Sequence, residues 1–258
     1  MCEILTLGAY GSRSQKGGTS AFMLNSTTLI DAGNVVVPLG EASADIDLVW
    51  LTHSHLDHIA DLAFMIDNYF EKRDKPLRIR GLPQTLEAVQ THFFNHTIWP
   101  DFSAIAMYGS KEMTVILESI EVGEYYTIDE TMTIKAFYTD HTVPSCGYIV
   151  TKEHQALLIT ADTHRLEMVE EAVKSHPNIR SLVIECAFPN AMEELAVVSK
   201  HLTPNLLFER LKPLESLGLK LYINHLKPTY ETEIRQEIKK AKSKWDVTIL
   251  RDGTVLVF

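Results

Sequence analysis

The stretch THSHLDHIAD, residues 52–61, directly follows the apolar run Leu48-Val49-Trp50-Leu51 and holds three histidines and two aspartates in ten positions. On an extended strand residues two apart point the same way, so His53 and His55 can converge on one ion. Asp57 and His58 point elsewhere as the chain turns into a helical pattern of Ile59, Leu62, Ala63, Ile66 and Phe70. That arrangement suits two metals rather than one. From the chain's own usage of His and Asp, H-x-H-x-D-H arises by chance on the order of once in a thousand such sequences, which outweighs the plainer reading of a polar loop with exposed histidines.

Two metals need more ligands, and three further candidates stand where apolar strands end. His141 follows the run Met132 to Phe137, Asp162 follows Ala156 to Ile159, and His225 follows Lys220 to Ile223. Each alone reads as an ordinary loop residue; together they supply what the first motif lacks.

Other short aliphatic or β-branched runs read as strands at 3–7, 21–24, 28–30, 46–51, 77–79, 147–150, 182–184 and 254–258. Helical patterns cover 86–94, 166–176, 204–217 and 230–244. No repeat or Gly/Ser/Pro-rich linker divides the chain, so residues 1–258 are expected to form one α/β domain with a sizeable core. The glycine-bearing loop Gly8 to Gly18 matches no nucleotide fingerprint and reads as a solvated turn.

The formal charge is −10, and no run of Lys or Arg marks a stripe for tracking phosphates. Long nucleic acid is therefore not the expected partner, whereas a small anion held by a metal is. The three cysteines, Cys2, Cys146 and Cys186, are odd in number and widely spaced, which fits a reducing compartment. With no export-type h-region at MCEILTLGAYGSRS and no membrane-length apolar stretch, a cytoplasmic location is expected, without membrane association. A homodimer is compatible with the sequence.

These features resemble the metallo-β-lactamase fold superfamily over nearly the whole chain. The resemblance implies a four-layer αββα sandwich with His53, His55 and His141 on a first metal, Asp57, His58 and His225 on a second, and Asp162 bridging them. The ligand types suit zinc first, and also manganese or iron(II). Two ions about 3.5–4 Å apart bind a bridging hydroxide at neutral pH and polarise a phosphoryl or carbonyl oxygen; Asp57 would orient that nucleophile. Histidine at position 55 argues against the redox di-iron branch, and aspartate at 162 against β-lactam hydrolysis.

Further blocks resemble one branch, the class II 3′,5′-cyclic-nucleotide phosphodiesterases: FFNHTIWPDF (93–102), VIECAFPN (183–190), KHLTP (200–204) and NHLKP (224–228). One departure is Ala161 in ITADTH, where a glycine is usual. The resemblance implies hydrolysis of cAMP or cGMP to the 5′-nucleotide. His201 is a candidate proton donor or phosphate contact, with Glu185 orienting it or holding a ligand histidine. The aromatic block could stack a purine on Phe93, Phe94 or Trp99, or simply be core. His92 and His96 lack a third partner and are not expected to bind metal. Two other readings compete: a tRNA 3′-processing endonuclease of the same superfamily, which shares the ligands and a similar Glu/His pair, and a catalytically silent scaffold.

Overall fold

The computed structural model describes residues 3–241 and 243–258; Cys2 lies outside the described residues. The first sheet contains β1 (Glu3–Gly8), β2 (Ala21–Asn25), β3 (Thr28–Ile30), β4 (Leu48–Trp50), β5 (Leu77–Gly81) and β6 (Val115–Ser119). The second contains β7 (Tyr125–Thr127), β8 (Met132–Tyr138), β9 (Cys146–Lys152), β10 (Gln155–Ile159), β11 (Ile179–Glu185), β12 (Lys220–Asn224) and β13 (Asp246–Ile249). The last strand, β14 (Val255–Val257), returns to the first sheet beside β1.

Both sheets change character halfway across. Strands β14-β1-β2-β3 and β7-β8-β9-β10 pair antiparallel, whereas β3-β4-β5-β6 and β10-β11-β12-β13 pair parallel. Parallel neighbours need crossovers, and these hold α2 (Leu56–Asp67) and α3 (Pro83–His92) on the first sheet and α4 (Glu167–Ser175), α5 (Glu193–Val198), α6 (Pro204–Leu211) and α7 (Glu231–Lys240) on the second; a short α1 (Val36–Leu39) follows β3.

Strand alternation decides which layer each side chain serves. Val49 and Leu51 pack with Ile59, Leu62 and Ile66 of α2 and Leu86 and Val89 of α3, while Trp50 between them faces the second sheet. There its ring meets Tyr148 edge-on, with centroids 5.9 Å apart. On the far face of the second sheet Val169, Leu207, Leu211, Ile234 and Ile238 bring α4, α6 and α7 into the core. Helices outside and two sheets inside give the expected αββα order.

Three strands, β6, β7 and β13, have no counterpart in the sequence reading. All three lie at a sheet margin; β7 and β13 are only partly covered there and need not be apolar, Tyr125, Thr127 and Asp246 being exposed, whereas β6 opens with the apolar run Val115-Ile116-Leu117. The pattern at 204–217 is divided, with α6 ending at Leu211 and a 3₁₀ segment, Lys212–Leu217, carrying Pro213 inside it. Among the described residues no helix is long and apolar enough to cross a membrane, and Cys146 and Cys186 are free and buried.

Candidate metal centre

The carboxyl ends of β4, β8, β10, β11 and β12 face one rim of the sandwich, and a polar residue follows each apolar strand there. The seven expected ligands meet at that rim in two overlapping groups: His53, His55, His141 and Asp162, and Asp57, His58, His225 and Asp162, the ligand atoms of each lying within 4.8 Å of one another. Asp162 belongs to both. Its Oδ2 is 3.8 Å from His53 Nε2, 3.8 Å from His141 Nε2 and 3.2 Å from His225 Nε2, and its Oδ1 is 3.5 Å from His58 Nε2. His225 Nε2 is also 3.6 Å from Asp57 Oδ2. Ligands about 2.0–2.1 Å from a tetrahedral ion lie about 3.3 Å apart, so these separations suit shared cations.

Four of the donor atoms have been left without other work, while His141 Nε2 lies 3.1 Å from His55 Nδ1. His53 Nε2, His58 Nε2, His225 Nε2 and Asp162 Oδ1 are buried and lack a hydrogen-bond partner. Orphaned polar atoms in a protein interior are costly, and four converging on one point mark a place built for cations. The opposite ring nitrogens are anchored: His58 Nδ1 to Asp31 Oδ2 at 2.7 Å, His53 Nδ1 to Thr52 Oγ1 at 3.0 Å, His225 Nδ1 to Ser20 Oγ at 3.2 Å and His141 Nδ1 to the Lys200 carbonyl at 3.3 Å. Thr52 in turn donates to Asp31, so one carboxylate steadies a histidine of each group.

Burial and neighbouring charge put most of these groups in their ligating forms. Burial pushes His53 well below the ordinary imidazole range and His225 down to about 3, and it lowers His55 and His141 too. Burial would raise Asp57 and Asp162, but His58 and His225 hold both carboxylates down. His58 is the exception. Burial would lower it, yet Asp31, Asp162 and Asp57 keep it well above the ordinary range. A cation entering the second group must displace that proton.

Beside the ligands stands a third buried group of Asp162, Glu185 and His201. His201 Nδ1 lies 2.7 Å from Glu185 Oε1, and Glu185 also accepts the backbone N–H of Thr163 at 3.1 Å and of Leu202 at 3.3 Å. Of the two roles open for Glu185, it takes the first, holding His201 rather than a ligand histidine. Burial would lower His201, but Glu185 outweighs it and raises the imidazole; burial raises Glu185 itself.

The structure corrects one reading and decides another. The loop Gly8 to Gly18 is no detached solvated turn: a β-carbon on Gly11 would come 2.7 Å from the His225 ring, so only glycine lets this backbone lie against a ligand. Within the aromatic block Phe94 is buried in the first-sheet core, Phe93 packs against that core, and Trp99 leans edge-on against Phe64 at 5.4 Å. Neither His92 nor His96 joins a metal-capable group among the described residues. Asp31 and Thr52 were missed, although Asp31 follows the apolar strand TLI just as the recognised ligands follow theirs.

Backbone strain gathers at the same rim. Asp31, Ala161, Lys200 and His225 all have φ between 55° and 63°, a region that costs a non-glycine residue roughly 1 kcal/mol or more. Ala161 pays this beside Asp162 without using its side chain. Ala161→Gly is therefore expected to stabilise the protein by about 0.5–1 kcal/mol, read as a higher urea midpoint at unchanged slope.

Fold and site together give the two-sheet αββα architecture of metallo-β-lactamase fold proteins, with His/Asp groups that could hold metal at its rim. Residues 40–151 match the family model of the class-II cAMP phosphodiesterases, in keeping with the resemblance of the sequence blocks. The chain is 36% identical over 75 residues to 3′,5′-cyclic-nucleotide phosphodiesterase 1 of Saccharomyces cerevisiae, an alignment covering 29% of this chain and only 20% of the yeast enzyme. The crystal structure of unliganded yeast PDE1 superposes with a TM-score of 0.84 at 21% identity, covering 99% of each chain. Human tRNase Z, short form, superposes with a TM-score of 0.69 at 20% identity, covering 99% of this chain and 98% of that one.

Proposed function

We propose that this chain is a binuclear metal-dependent phosphodiesterase, a single hydrolase domain that converts 3′,5′-cyclic nucleotides to 5′-nucleotides. The observation that carries this is two ligand groups sharing Asp162 next to the His201–Glu185 pair, in a chain whose residues 40–151 fit the class-II cAMP phosphodiesterase family. His53, His55 and His141 would hold one ion and Asp57, His58 and His225 the other, with Asp162 between; zinc suits this donor set best. When bound, the two ions supply charge against the phosphate oxygens and make water acidic enough to react near neutral pH.

The chain's own groups do the rest. Asp57, the more open of the two carboxylates at 24% side-chain exposure, is placed to take the attacking water's proton and aim its oxygen at phosphorus. His201, its Nδ1–H given to Glu185, keeps Nε2 free to hand a proton to the departing 3′ oxygen. One P–O bond forms, one breaks, and each proton has a residue to leave from or go to.

A second reading, a tRNA 3′-end endonuclease, is favoured by the likeness to human tRNase Z and opposed by the charge of −10, since gripping a tRNA body means neutralising several phosphates. A silent scaffold is opposed by the orphaned ligand atoms, which would cost stability with nothing to offset them. The test incubates metal-loaded protein with cAMP, cGMP and a 3′-extended tRNA precursor. Release of 5′-AMP or 5′-GMP is expected; cleavage of the tRNA alone would replace this reading with the second, and no cleavage together with substoichiometric metal would replace it with the third.

A further inference from the structure

Asp57 of the metal centre borders a cavity of about 450 Å³, which Arg13 and Thr19 also line, within the usual size for a small-molecule site. Its walls differ in kind. One is polar: Gly11 and Ser12 of the glycine loop, and Lys227, two residues after the ligand His225. The other is apolar: Leu56 and Ala60, four apart on α2 and so on one face. Leu56 is 65% exposed, although it immediately precedes the ligand Asp57.

Lys227 differs from the other cations of this region. Arg13 is paired with Asp61, Lys16 with Glu231 and Lys200 with Asp140, whereas Lys227 has no carboxylate within ion-pair distance among the described residues. Its Nζ is held by the Gly11 carbonyl at 2.6 Å, which uses one of three ammonium donors and leaves two for a ligand.

An unpaired cation facing an exposed leucine across a cavity suits a molecule that is anionic at one end and flat and apolar at the other. We propose that Lys227 is a phosphate-binding residue of this site and that the wall of Leu56 and Ala60 receives the base of the nucleotide. This rests on the phosphodiesterase reading. The ammonium donates to a non-bridging phosphate oxygen, which a phosphodiester presents as an anion from the moment it binds and a neutral ester does not.

The test compares Lys227→Met and Lys227→Arg with wild type on cAMP, on bis(p-nitrophenyl) phosphate and on the neutral p-nitrophenyl acetate, with metal content and calorimetric binding of 5′-AMP measured alongside. Lys227→Met is expected to lose about ten- to a hundredfold in kcat/KM on both anionic diesters and a similar factor in 5′-AMP affinity. Metal content should stay at the wild-type level, the loss on the acetate should be clearly smaller than on the diesters, and Lys227→Arg should recover most of the loss. Equal losses on the acetate, or loss of metal, would make Lys227 a brace for the Gly11 loop and overturn the proposal, as would wild-type behaviour on the diesters. If wild type cuts bis(p-nitrophenyl) phosphate with this lysine dependence but leaves cAMP intact, the phosphate contact stands and the cyclic-nucleotide reading falls. Leu56→Asp, which sets a charge against the base, should raise KM for cAMP several-fold; an unchanged KM would remove the base from that wall.

Discussion

Asp162→Ala is expected to lose most of its bound metal and at least about a thousandfold of its turnover, the largest effect of any single substitution here. The other six ligands each serve one group, but Asp162 stands in both and is also the acid nearest the Glu185–His201 pair. Its carboxylate is held well below the usual range by His225 and His58 in spite of burial, so it meets a cation already charged. Removing it leaves Asp57 as the sole carboxylate of the ligand set and leaves four inward-facing imidazoles, of His53, His58, His141 and His225, without their counter-charge. Metal analysis of the variant, with circular dichroism to show that the sheets persist, checks this. Full metal content in Asp162→Ala would mean that the two groups do not share a bridging ligand.

His201→Ala should keep its metal and lose about a hundred- to ten-thousandfold in kcat, the range a positioned proton donor supplies. Glu185→Gln is the more informative partner because it keeps the shape and removes the charge. In the native protein burial would lower His201, and Glu185 overrides it and raises it. A raised pKa means the imidazolium persists to higher pH; activity that depends on it is present below that pKa and disappears as pH climbs through it. Without the carboxylate the alkaline limb of the kcat profile should move to lower pH, by about one unit or more, with turnover at neutral pH falling in step. An alkaline limb that does not move in Glu185→Gln, or metal lost from His201→Ala, would take His201 out of the proton-donating role and return it to the ligand shell.

The sequence makes the ligands legible in two ways: His53, His55, Asp57 and His58 by the dense H-x-H-x-D-H motif, and His141, Asp162 and His225 by standing just after apolar strands. The second of these patterns, applied to TLI, marks Asp31 as well. Neither reaches what depends on loops meeting. The approach of Gly11 to His225 joins residues more than two hundred positions apart, and the Glu185–His201 pair needs β11 and the turn between α5 and α6 to lie side by side. The aromatic block shows the opposite difficulty. Phe94 looks the same in a sequence whether it stacks a base or fills a core, and only the position of α3 over the first sheet decides between them.

The ligands do not come from one layer of the sandwich. His53, His55, Asp57 and His58 grow from the first sheet, and His141, Asp162 and His225 from the second. A cation held by either group would therefore act as a rivet through the joint between the two sheets. Chelation should do more than silence the chemistry: the halves should part more readily along that joint, so that protease nicks and amide exchange appear first at the rim strands and spread inward.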